Sequence, residues 1–238
     1  MALIEAKHLA KIYRDEADET VALRNISLEI KEGEFVAIMG PSGSGKSTLL
    51  HLLGFLDNQT SGEYRFAGKT AADFTEEEIA HVRNSQMGFV FQAFNLLPRT
   101  TVRENVRLPL LYSRVPESHW RQKVEEAVAL VGLTHRINYL SSQLSGGEKQ
   151  RAAIARALVN SPAVVFADEP TGNLDSKSGG QIMDFLQQLH NKGHTIVLIT
   201  HETYTAEYAE RIIKLHDGSL QSDARSHQRR LGGNHFTK

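Results

Sequence analysis

The sequence predicts an α/β fold in which a mainly parallel sheet carries helices on its faces. Four continuous apolar runs of strand length alternate with stretches of helical spacing, at residues 35–39, 87–91, 163–167 and 195–200. Continuous apolar runs are typical of parallel strands buried on both faces, and their alternation with helices indicates a layered α/β domain. A glycine-rich segment at residues 40–47 joins the first run to a helix-compatible stretch, which indicates a strand–loop–helix unit.

The N-terminal residues predict a small antiparallel sheet. Leu3 to Leu9 alternates apolar and polar residues like an edge strand, and Val21 to Ile30 alternates in the same way. Alternation of this kind is typical of strands with one face on a core and the other in solvent. A short strand at Glu63 to Phe66 follows later. We therefore expect an N-terminal antiparallel β subdomain beside the main sheet.

The segment between Phe94 and Ala163 contains no strand pattern and predicts an inserted α-helical subdomain. Ser145 to Gly147 can cap its last helix, and Thr75 to Glu78 forms a capping box before an earlier one. The stretches with helical features are residues 75–84, 101–111, 117–131, 145–159 and 181–191.

These patterns divide the chain into one domain and a tail. We expect a single domain over residues 1–221, with a core built from residues 1–92 and 160–221 and a helical subdomain at residues 93–159. Residues 222–238 are polar and rich in histidine and arginine, and we expect them to form a flexible C-terminal tail.

Composition excludes several classes of protein. Charged residues make up 23% of the chain, but the formal net charge is only −1 and no long Lys/Arg run occurs, so nucleic acid is not an expected partner. The absence of cysteine excludes disulfides and cysteine-based zinc sites. The apolar runs are far shorter than the ~20 residues that cross a bilayer, and the N-terminus lacks a signal-peptide core. We therefore expect a cytoplasmic protein, and any membrane span would belong to another chain.

The segment GPSGSGKS matches the complete phosphate-binding pattern G-x-x-x-x-G-K-S. Its glycines allow a tight turn that brings backbone N–H groups close to phosphate oxygens, and the following helix points its positive dipole end at the anion. Lys46 can bridge the β- and γ-phosphates, and the Ser47 hydroxyl suits a magnesium ligand. The residues predicted to surround the phosphates are Gly40, Pro41, Ser42, Gly43, Ser44, Gly45, Lys46, Ser47 and Thr48.

Two adjacent carboxylates, Asp168 and Glu169, follow the apolar run at residues 163–167. Asp168 can hold magnesium, and Glu169 is placed to polarise an attacking water or to take its proton. The same pair at a solvated strand end would have no chemical role. Its combination with a phosphate-binding loop favours the catalytic interpretation.

A third motif identifies a family. The segment Leu144-Ser145-Gly146-Gly147-Glu148, followed by Lys149-Gln150-Arg151, resembles the signature motif of ATP-binding cassette (ABC) proteins. The resemblance covers about residues 2–221, and the other family elements occur in the family's order. These elements are the adenine-stacking aromatic Tyr13, the Q-loop glutamine Gln92, the D-loop Asn173-Leu174-Asp175 and the switch histidine His201.

Three segments are similar to one branch of this family, the exporter-type ATPases of lipoprotein-releasing, macrolide-efflux and cell-division cassettes (LolD/MacB/FtsE-like). They are residues 88–92, 94–98 and 166–175, and the Glu148 variant of the signature carries the same likeness. No catalytic position departs from the family pattern, so the resemblance implies an active ATPase.

The resemblance implies binding of ATP and Mg²⁺ by a head-to-tail homodimer. In the family, each ATP lies between one phosphate-binding loop and the partner's signature segment, so two copies make two identical sites. The implied catalytic residues are Glu169, His201, Gln92 and Lys46, and the implied magnesium ligands are Ser47, Gln92 and Asp168. The residues expected to complete the nucleotide site are Tyr13, Ser145, Gly146, Gly147, Glu148 and Asp175.

The resemblance also implies a separate transmembrane permease, with the cassette peripheral on the inner face of the cell membrane. The permease would contact the helical subdomain near Phe94–Pro98, although these apolar side chains also fit a core. Such a system would carry out export, extraction or mechanotransmission.

The sequence leaves other interpretations open. One is a soluble ABC ATPase of DNA repair or translation. Repair types insert a long coiled coil between the Q-loop and the signature, for which residues 93–143 leave little room. Translation types usually carry two cassettes, whereas each motif occurs once here. Another is a nucleotide-binding regulator without turnover, against which the intact Glu169 argues. Single residues have plainer interpretations too: Gln92 could lie on the surface, Tyr13 could only pack, and His201 could be structural.

Overall fold

The computed structural model describes residues 2–14 and 18–226, which form two β-sheets and seven α-helices. The smaller sheet has four antiparallel strands in the spatial order β2 (Glu19–Lys31), β1 (Ala2–Arg14), β4 (Ser61–Phe66) and β5 (Lys69–Thr70). The prediction of an N-terminal antiparallel subdomain is confirmed.

The expectation that Leu3–Leu9 forms an edge strand is wrong. These residues lie in β1, which pairs with β2 on one side and β4 on the other, so that Ile4 faces both Ile30 and Phe66. Apolar–polar alternation reports that one face of a strand is buried, but it carries no information about neighbours within the sheet. The strand is therefore interior to a sheet that still has one solvent face.

The larger sheet has six strands whose spatial order differs from their order in the chain. Across the sheet they are β10 (Ser219–Arg225), β9 (Arg211–His216), β3 (Phe35–Met39), β8 (Thr195–Thr200), β7 (Val164–Asp168) and β6 (Met87–Phe91). Neighbours are parallel except β9 and β10, which form an antiparallel hairpin. All four apolar runs are strands of this sheet, and the prediction of a mainly parallel α/β fold is confirmed.

The expected flexible tail at residues 222–238 is wrong in its first part. Ser222 to Arg225 belong to β10, and the Arg211 guanidinium donates to both carboxylate oxygens of Asp223, each at 2.6 Å. A polar strand at a sheet edge lacks the apolar pattern from which strands are predicted. The remainder of the predicted tail, residues 227–238, lies outside the described residues.

Helices cover the faces of the larger sheet. They are α1 (Lys46–Leu53), α2 (Glu76–Gln86), α3 (Val102–Arg107), α4 (Trp120–Leu130), α5 (Gly146–Leu158), α6 (Ser176–Asn191) and α7 (Thr203–Ala206). Helix α3 is shorter than expected, because a 3₁₀ turn with Pro109 follows it at Leu108–Tyr112. Helix α6 begins five residues before the predicted start, at a cap formed by Asp175. Among the described residues, no helix is long and apolar enough to cross a membrane.

The larger sheet separates two hydrophobic cores. Phe35 and Ala37 of β3 pack on the side of α3 to α6, whereas Val36 and Ile38 pack on the side of α1 and the smaller sheet. Burial of each large apolar side chain contributes about 1.5–3 kcal/mol. The strands are therefore packed on both faces, and this packing fixes the positions of the residues at their ends.

Candidate functional site

Four neighbouring parallel strands end at the same edge of the larger sheet. The register pairs Met39 with Thr200, Ile199 with Asp168, and Asp168 with Phe91. The residue that follows each strand therefore lies at this edge. These residues are Gly40 after β3, His201 after β8, Glu169 after β7 and Gln92 after β6. In open α/β sheets, ligands bind outside the carboxyl ends of the strands.

The loop after β3 needs glycine for reasons of space and conformation. A Cβ atom on Gly40 would lie 2.3 Å from the backbone oxygen of Leu215, which belongs to β9. Gly45 has a φ of 94°, and a Cβ atom there would lie 2.6 Å from the backbone oxygen of Ala22. Only glycine tolerates both the contacts and the left-handed conformation. The loop is thus wedged between β9 and β2.

Helix α1 begins without a side-chain cap. Its N-cap residue is Gly45, whereas Thr75, Ser145 and Asp175 cap α2, α5 and α6 through their side-chain oxygens. The first N–H groups of a helix need acceptors and form the positive end of its dipole. An anion at the start of α1 would supply those acceptors.

Two side chains within the loop have hydrogen-bonding capacity for such an anion. The Lys46 ammonium is largely buried and donates to the backbone oxygen of Pro41 at 2.8 Å. The Ser44 hydroxyl is buried and has no partner in the part of the chain that the structure describes. Buried polar groups are normally hydrogen-bonded. The loop therefore fits a phosphate group better than it fits an empty turn.

The loop opens into a cleft of about 840 Å³, a volume within the range of ligand sites. The cleft is lined by the predicted residues Gly40, Pro41, Ser42, Gly43, Gly45, Lys46, Ser47, Thr48, Glu169 and His201. It is also lined by residues that the sequence did not point to: Thr20, Val21, Ala22, Met39, Lys214, Leu215, His216 and Gln221. Asp217-Gly218 signals a turn between β9 and β10, but no sequence signal places that hairpin beside the glycine loop.

The catalytic candidates at neighbouring strand ends contact each other directly. His201 Nδ1 lies 2.8 Å from Glu169 Oε1, and the Glu169 side chain keeps 22% of its surface exposed. Glu169 has a φ of 44°, a left-handed conformation that is uncommon for a residue with a side chain. Such conformations persist where the surroundings hold them, and they cluster at functional sites.

Asp168 lies one residue before Glu169, at the end of β7. Burial, reinforced by the negative charge of Glu169, raises the pKa of Asp168, while the nearby His51 and Lys46 act in the opposite direction. Asp168 is not among the residues that line the cleft. It lies at the strand end beside Glu169, outside the cleft lining.

Gln92 is turned toward the segment after Glu169. A Cβ atom on Gly172 would lie 2.5 Å from Gln92 Nε2, so the amide packs against the Gly172 backbone. The backbone oxygen of Gln92 accepts a hydrogen bond of 3.0 Å from Asn173 Nδ2. Gln92 does not line the cleft described above.

Tyr13 likewise lies outside the cleft lining and has partners of its own. Its hydroxyl donates to Asp57 at 2.9 Å, and the Lys11 ammonium sits 4.8 Å from the ring centroid. Burial alone would raise the pKa of Asp57, but hydrogen bonds from Lys11 and Tyr13 hold it below its usual value. The ring is thus fixed at its polar tip, with 40% of the residue exposed.

The remaining candidates form a second cluster outside the cleft. Ser145 caps α5, and Glu148 completes this capping box while pairing with Arg136 at 3.1 Å. Cβ atoms on Gly146 and Gly147 would meet Leu174 and Ser178, respectively, within 3.3 Å. Asp175 caps α6 in the same region. The structure therefore brings Ser145, Gly146, Gly147, Glu148 and Asp175 together, but not into the cleft of their own chain.

Comparison with known proteins decides the family. The family model described as ABC transporter matches residues 23–172. The chain belongs to the ABC transporter family. The predicted family is confirmed, and the relatives are consistent with the predicted branch of lipoprotein-releasing, macrolide-efflux and cell-division cassettes. The chain is an ATP-binding cassette of this family.

Relatives of this ABC cassette fall into two kinds. An uncharacterized ABC transporter ATP-binding protein of Methanocaldococcus jannaschii is 50% identical over 218 residues, which cover 92% of this chain and 97% of that protein. The macrolide export ATP-binding/permease protein MacB of Bdellovibrio bacteriovorus is 49% identical over 94% of this chain. The cassette spans about a third of the length of that MacB protein, 34%.

Solved cassettes have the same fold. The dimeric structure of the bacterial ABC transporter cassette MJ0796 superposes with a TM-score of 0.85 at 43% identity and covers 93% of this chain and 98% of that chain. A second dimeric structure of MJ0796, in a post-hydrolysis state bound to ADP and Pi, gives a TM-score of 0.84 at 42% identity over the same shares of the two chains.

Proposed function

We propose that this ABC cassette hydrolyses ATP as a head-to-tail pair, in which each ATP lies between the Gly40–Ser47 loop of one copy and the Ser145 segment of the other. One observation carries the proposal. The cleft beside Lys46 and the cluster around Ser145 are separate surfaces of one chain, although each lies at the start of a helix, the positive end of its dipole. A two-fold axis joins each cleft to the other copy's cluster and makes two identical sites. The dimeric form of the related cassette supports this arrangement.

The geometry of the sheet edge supports the following proposed roles. Lys46 and the α1 N–H groups hold the β- and γ-phosphates. Glu169 accepts a proton from water as the water oxygen attacks the γ-phosphorus. The bond from that phosphorus to the ADP oxygen breaks, and ADP and phosphate result. His201 holds Glu169 by the 2.8 Å contact. Because it lines the same cleft as Lys46, it donates to the γ-phosphate in this proposal.

Magnesium fits the residues of this edge. The Ser47 hydroxyl, the Asp168 carboxylate and the Gln92 amide are oxygen ligands of the kind that Mg²⁺ prefers. Burial and the charge of Glu169 raise the pKa of Asp168, so a cation here would relieve an unfavourable concentration of negative charge. When bound, the ion neutralises charge that develops on the phosphate oxygens.

Adenine stacks on Tyr13 in this proposal, and Asp175 lies at the seam between the two copies. The exposed part of the Tyr13 ring lies on β1, beside the β2 residues that line the cleft. Stacking of a base on an aromatic ring is a common means of holding a nucleotide.

A permease helix docks on the helical region, which we propose to be a subdomain at residues 93–159. Phe94 and Leu96 pack against the core, so the exposed apolar part of the Phe94–Pro98 segment is Leu97 and Pro98. A neighbouring groove of about 530 Å³ includes exposed Leu56 and Tyr112. Amphipathic helices bind in apolar grooves of this kind.

We place the cassette in the cytoplasm, on the inner face of the membrane. MacB is named as a protein that joins an export ATP-binding part to a permease. The present cassette spans only about a third of that protein. We propose that it works with a permease that is a separate chain. The paired system would perform export, extraction or mechanotransmission. A role in DNA repair or translation is not favoured, because two relatives of nearly equal length are named uncharacterized ABC transporter ATP-binding proteins.

Size-exclusion chromatography tests the shared site. Glu169→Gln with ATP and Mg²⁺ should elute as a dimer, and without nucleotide as a monomer. Adding Ser145→Arg should keep the protein monomeric, whereas Ser142→Arg, at an exposed serine three residues earlier, should leave the dimer intact. A dimer in the Glu169→Gln/Ser145→Arg variant would refute the shared site.

A further inference from the structure

Gln150 lies on α5, the helix that begins in the signature segment and is called the signature helix below. Its side chain forms hydrogen bonds to the loop that carries Glu169 and to the end of the strand before Gln92. The side chain has no exposed surface. Its Nε2 group donates to the backbone oxygen of Pro170 at 2.8 Å and to that of Phe91 at 3.4 Å. Pro170 follows Glu169 in the chain, and Phe91 precedes Gln92. One amide therefore contacts the backbone next to two strand-end residues.

Packing alone does not account for an amide at this position. Gln150 Oε1 is buried and has no hydrogen-bond partner within the described ranges. A buried polar atom without a partner is destabilising, and an apolar side chain of similar size would avoid that cost. A flipped amide would place its oxygen against two carbonyl oxygens, so the donors must face them. The two N–H donors are what the position requires.

The backbone that Gln150 contacts is in an unusual conformation. Glu169 has a φ of 44°, and its N–H donates to the backbone oxygen of Ile199 at 2.9 Å. The Glu169 oxygen accepts from Gly172 at 2.9 Å. These bonds come from the sheet and from the loop itself, whereas the Gln150 bond to Pro170 comes from the signature helix. A left-handed residue with a side chain is maintained only by such surrounding contacts.

The Gln92 loop is held in the same unit. Asn173 Nδ2 donates to the Gln92 backbone oxygen at 3.0 Å, one residue after the carbonyl that Gln150 reaches. Gly146 of the signature segment approaches Leu174 and the backbone of Asn173. The start of α5, the Gln92 loop and the segment after Glu169 are therefore linked through short contacts.

We propose that Gln150 is a positioning residue for ATP hydrolysis, which sets Glu169 and Gln92 relative to the signature helix through the carbonyls of Pro170 and Phe91. When α5 of one copy contacts the ATP held by the other copy, Gln150 transmits that contact to Glu169 and Gln92 of its own copy. This inference rests on the proposed function, in which Glu169 is the base and the Ser145 segment meets the partner's nucleotide.

Gln150→Met tests the inference, because methionine keeps the length of the side chain and removes both donors. We expect kcat to fall about tenfold or more, as for misplacement of a catalytic group, while KM and the equilibrium affinity for ATP stay within about twofold. The matched control is Gln187→Met, which changes a buried glutamine of α6 outside the cleft lining. It should leave kcat within about twofold of the wild-type value.

Gln150→Glu provides a second readout that a packing role would not move. A protonated carboxyl can donate to the Pro170 oxygen, whereas a carboxylate cannot, and burial favours the protonated form. The kcat of this variant, divided by the wild-type kcat at the same pH, should fall severalfold from about pH 6 to about pH 8. The corresponding ratio for Gln150→Met should stay flat. If the methionine variant does not fold, this ratio alone decides.

Glu169→Gln, measured in parallel, separates the two proposals. Turnover that survives in Glu169→Gln refutes the proposed function itself. If Glu169→Gln is inactive but folded Gln150→Met turns over at the wild-type rate, the inference about Gln150 alone is wrong. A flat pH ratio for Gln150→Glu, or an equal loss of kcat in Gln187→Met, would also overturn it.

Discussion

The Nδ1 atom of His201 lies 2.8 Å from the Oε1 atom of Glu169, which connects the ends of two neighbouring parallel strands. An ionised carboxylate only accepts hydrogen bonds, so the His201 Nδ1–H group is the donor. This bond leaves Nε2 of the imidazole free to turn toward the cleft, which both residues line. The pair therefore combines a proton acceptor with an imidazole whose doubly protonated form donates from both nitrogens, through Nδ1 to Glu169 and through Nε2 to a phosphate oxygen in the cleft.

His201→Ala should lower ATP turnover about 100-fold, because it removes both the group that orients Glu169 and a donor to the developing charge. The affinity for ATP should change only a few-fold. Steady-state phosphate release and nucleotide titration measure the two quantities. The control is His216→Ala, which removes another histidine of the cleft lining. Equal turnover in the two variants would contradict the role of the pair.

Lys46→Ala should raise the dissociation constant of ATP roughly 10- to 150-fold. A hydrogen bond to a charged group contributes about 1.5–3 kcal/mol, and each 1.4 kcal/mol corresponds to about tenfold in affinity. In the structure, the ammonium donates to the Pro41 oxygen within the loop. Lys214→Ala is the matched control, since Lys214 lines the same cleft but is exposed. Calorimetric titration that gives the same constant for both variants would exclude Lys46 from the phosphate site.

Much of the strand-end arrangement could be predicted from the sequence. In the sequence, Gly40, Gln92, Glu169 and His201 each come directly after or within two residues of an apolar run that predicts a strand. The structure places all four at the same edge of the larger sheet. Which of them touch could not be predicted. Contact depends on the spatial order β3, β8, β7, β6, which differs from the order in the chain and is decided by long-range packing.

The cleft wall and the C-terminal hairpin escaped prediction for a related reason. Ser222 to Arg225 has no apolar alternation, and its strand exists because β9 offers hydrogen bonds and Arg211 offers a cation. Likewise, Gly40 is wedged against Leu215, a contact across most of the chain. The hydrophobic pattern of a short segment does not indicate which distant residues will contact it.

Tyr13→Ala should weaken ATP binding by about 1–3 kcal/mol, the range for stacking of one base on an aromatic ring, and should leave binding of inorganic tripolyphosphate unchanged. Tyr139→Ala is the matched control, because Tyr139 is also about 40% exposed and also lies beside a cation, Arg136 at 4.6 Å. Loss of tripolyphosphate binding in Tyr13→Ala would show that the residue supports the loop rather than the base.

Asp57→Asn should reproduce part of the Tyr13→Ala effect, because Asp57 accepts from the Tyr13 hydroxyl and from Lys11. Burial would raise the pKa of Asp57, but the hydrogen bonds from Lys11, Tyr13 and the Asn58 backbone, together with the charge of Lys11, lower it in the folded chain. A lowered pKa means that the contribution of the carboxylate is present above its unfolded pKa of about 3.9 and is lost as pH falls through the folded value. The wild-type affinity for ATP should therefore not change through Asp57 between about pH 6 and about pH 8. A fluorescent ATP analogue titrated at several pH values checks this, and a titration step at Asp57 within that interval would contradict it.

Arg211→Met should destabilise the fold by about 1–3 kcal/mol without a comparable effect on ATP affinity. The Arg211 guanidinium pairs with Asp223 at 2.6 Å and Glu34 at 3.2 Å, and it donates to the Glu29 backbone oxygen at 2.7 Å. Its removal leaves two partly buried carboxylates without their cation. For a domain of this size, the melting temperature should fall by roughly 2–4 °C per kcal/mol. Arg121→Met breaks an exposed pair with Glu125 at 3.0 Å and should change the melting temperature by less than about 2 °C, since exposed pairs contribute little. Equal shifts in the two variants would show that the C-terminal strand does not depend on Arg211.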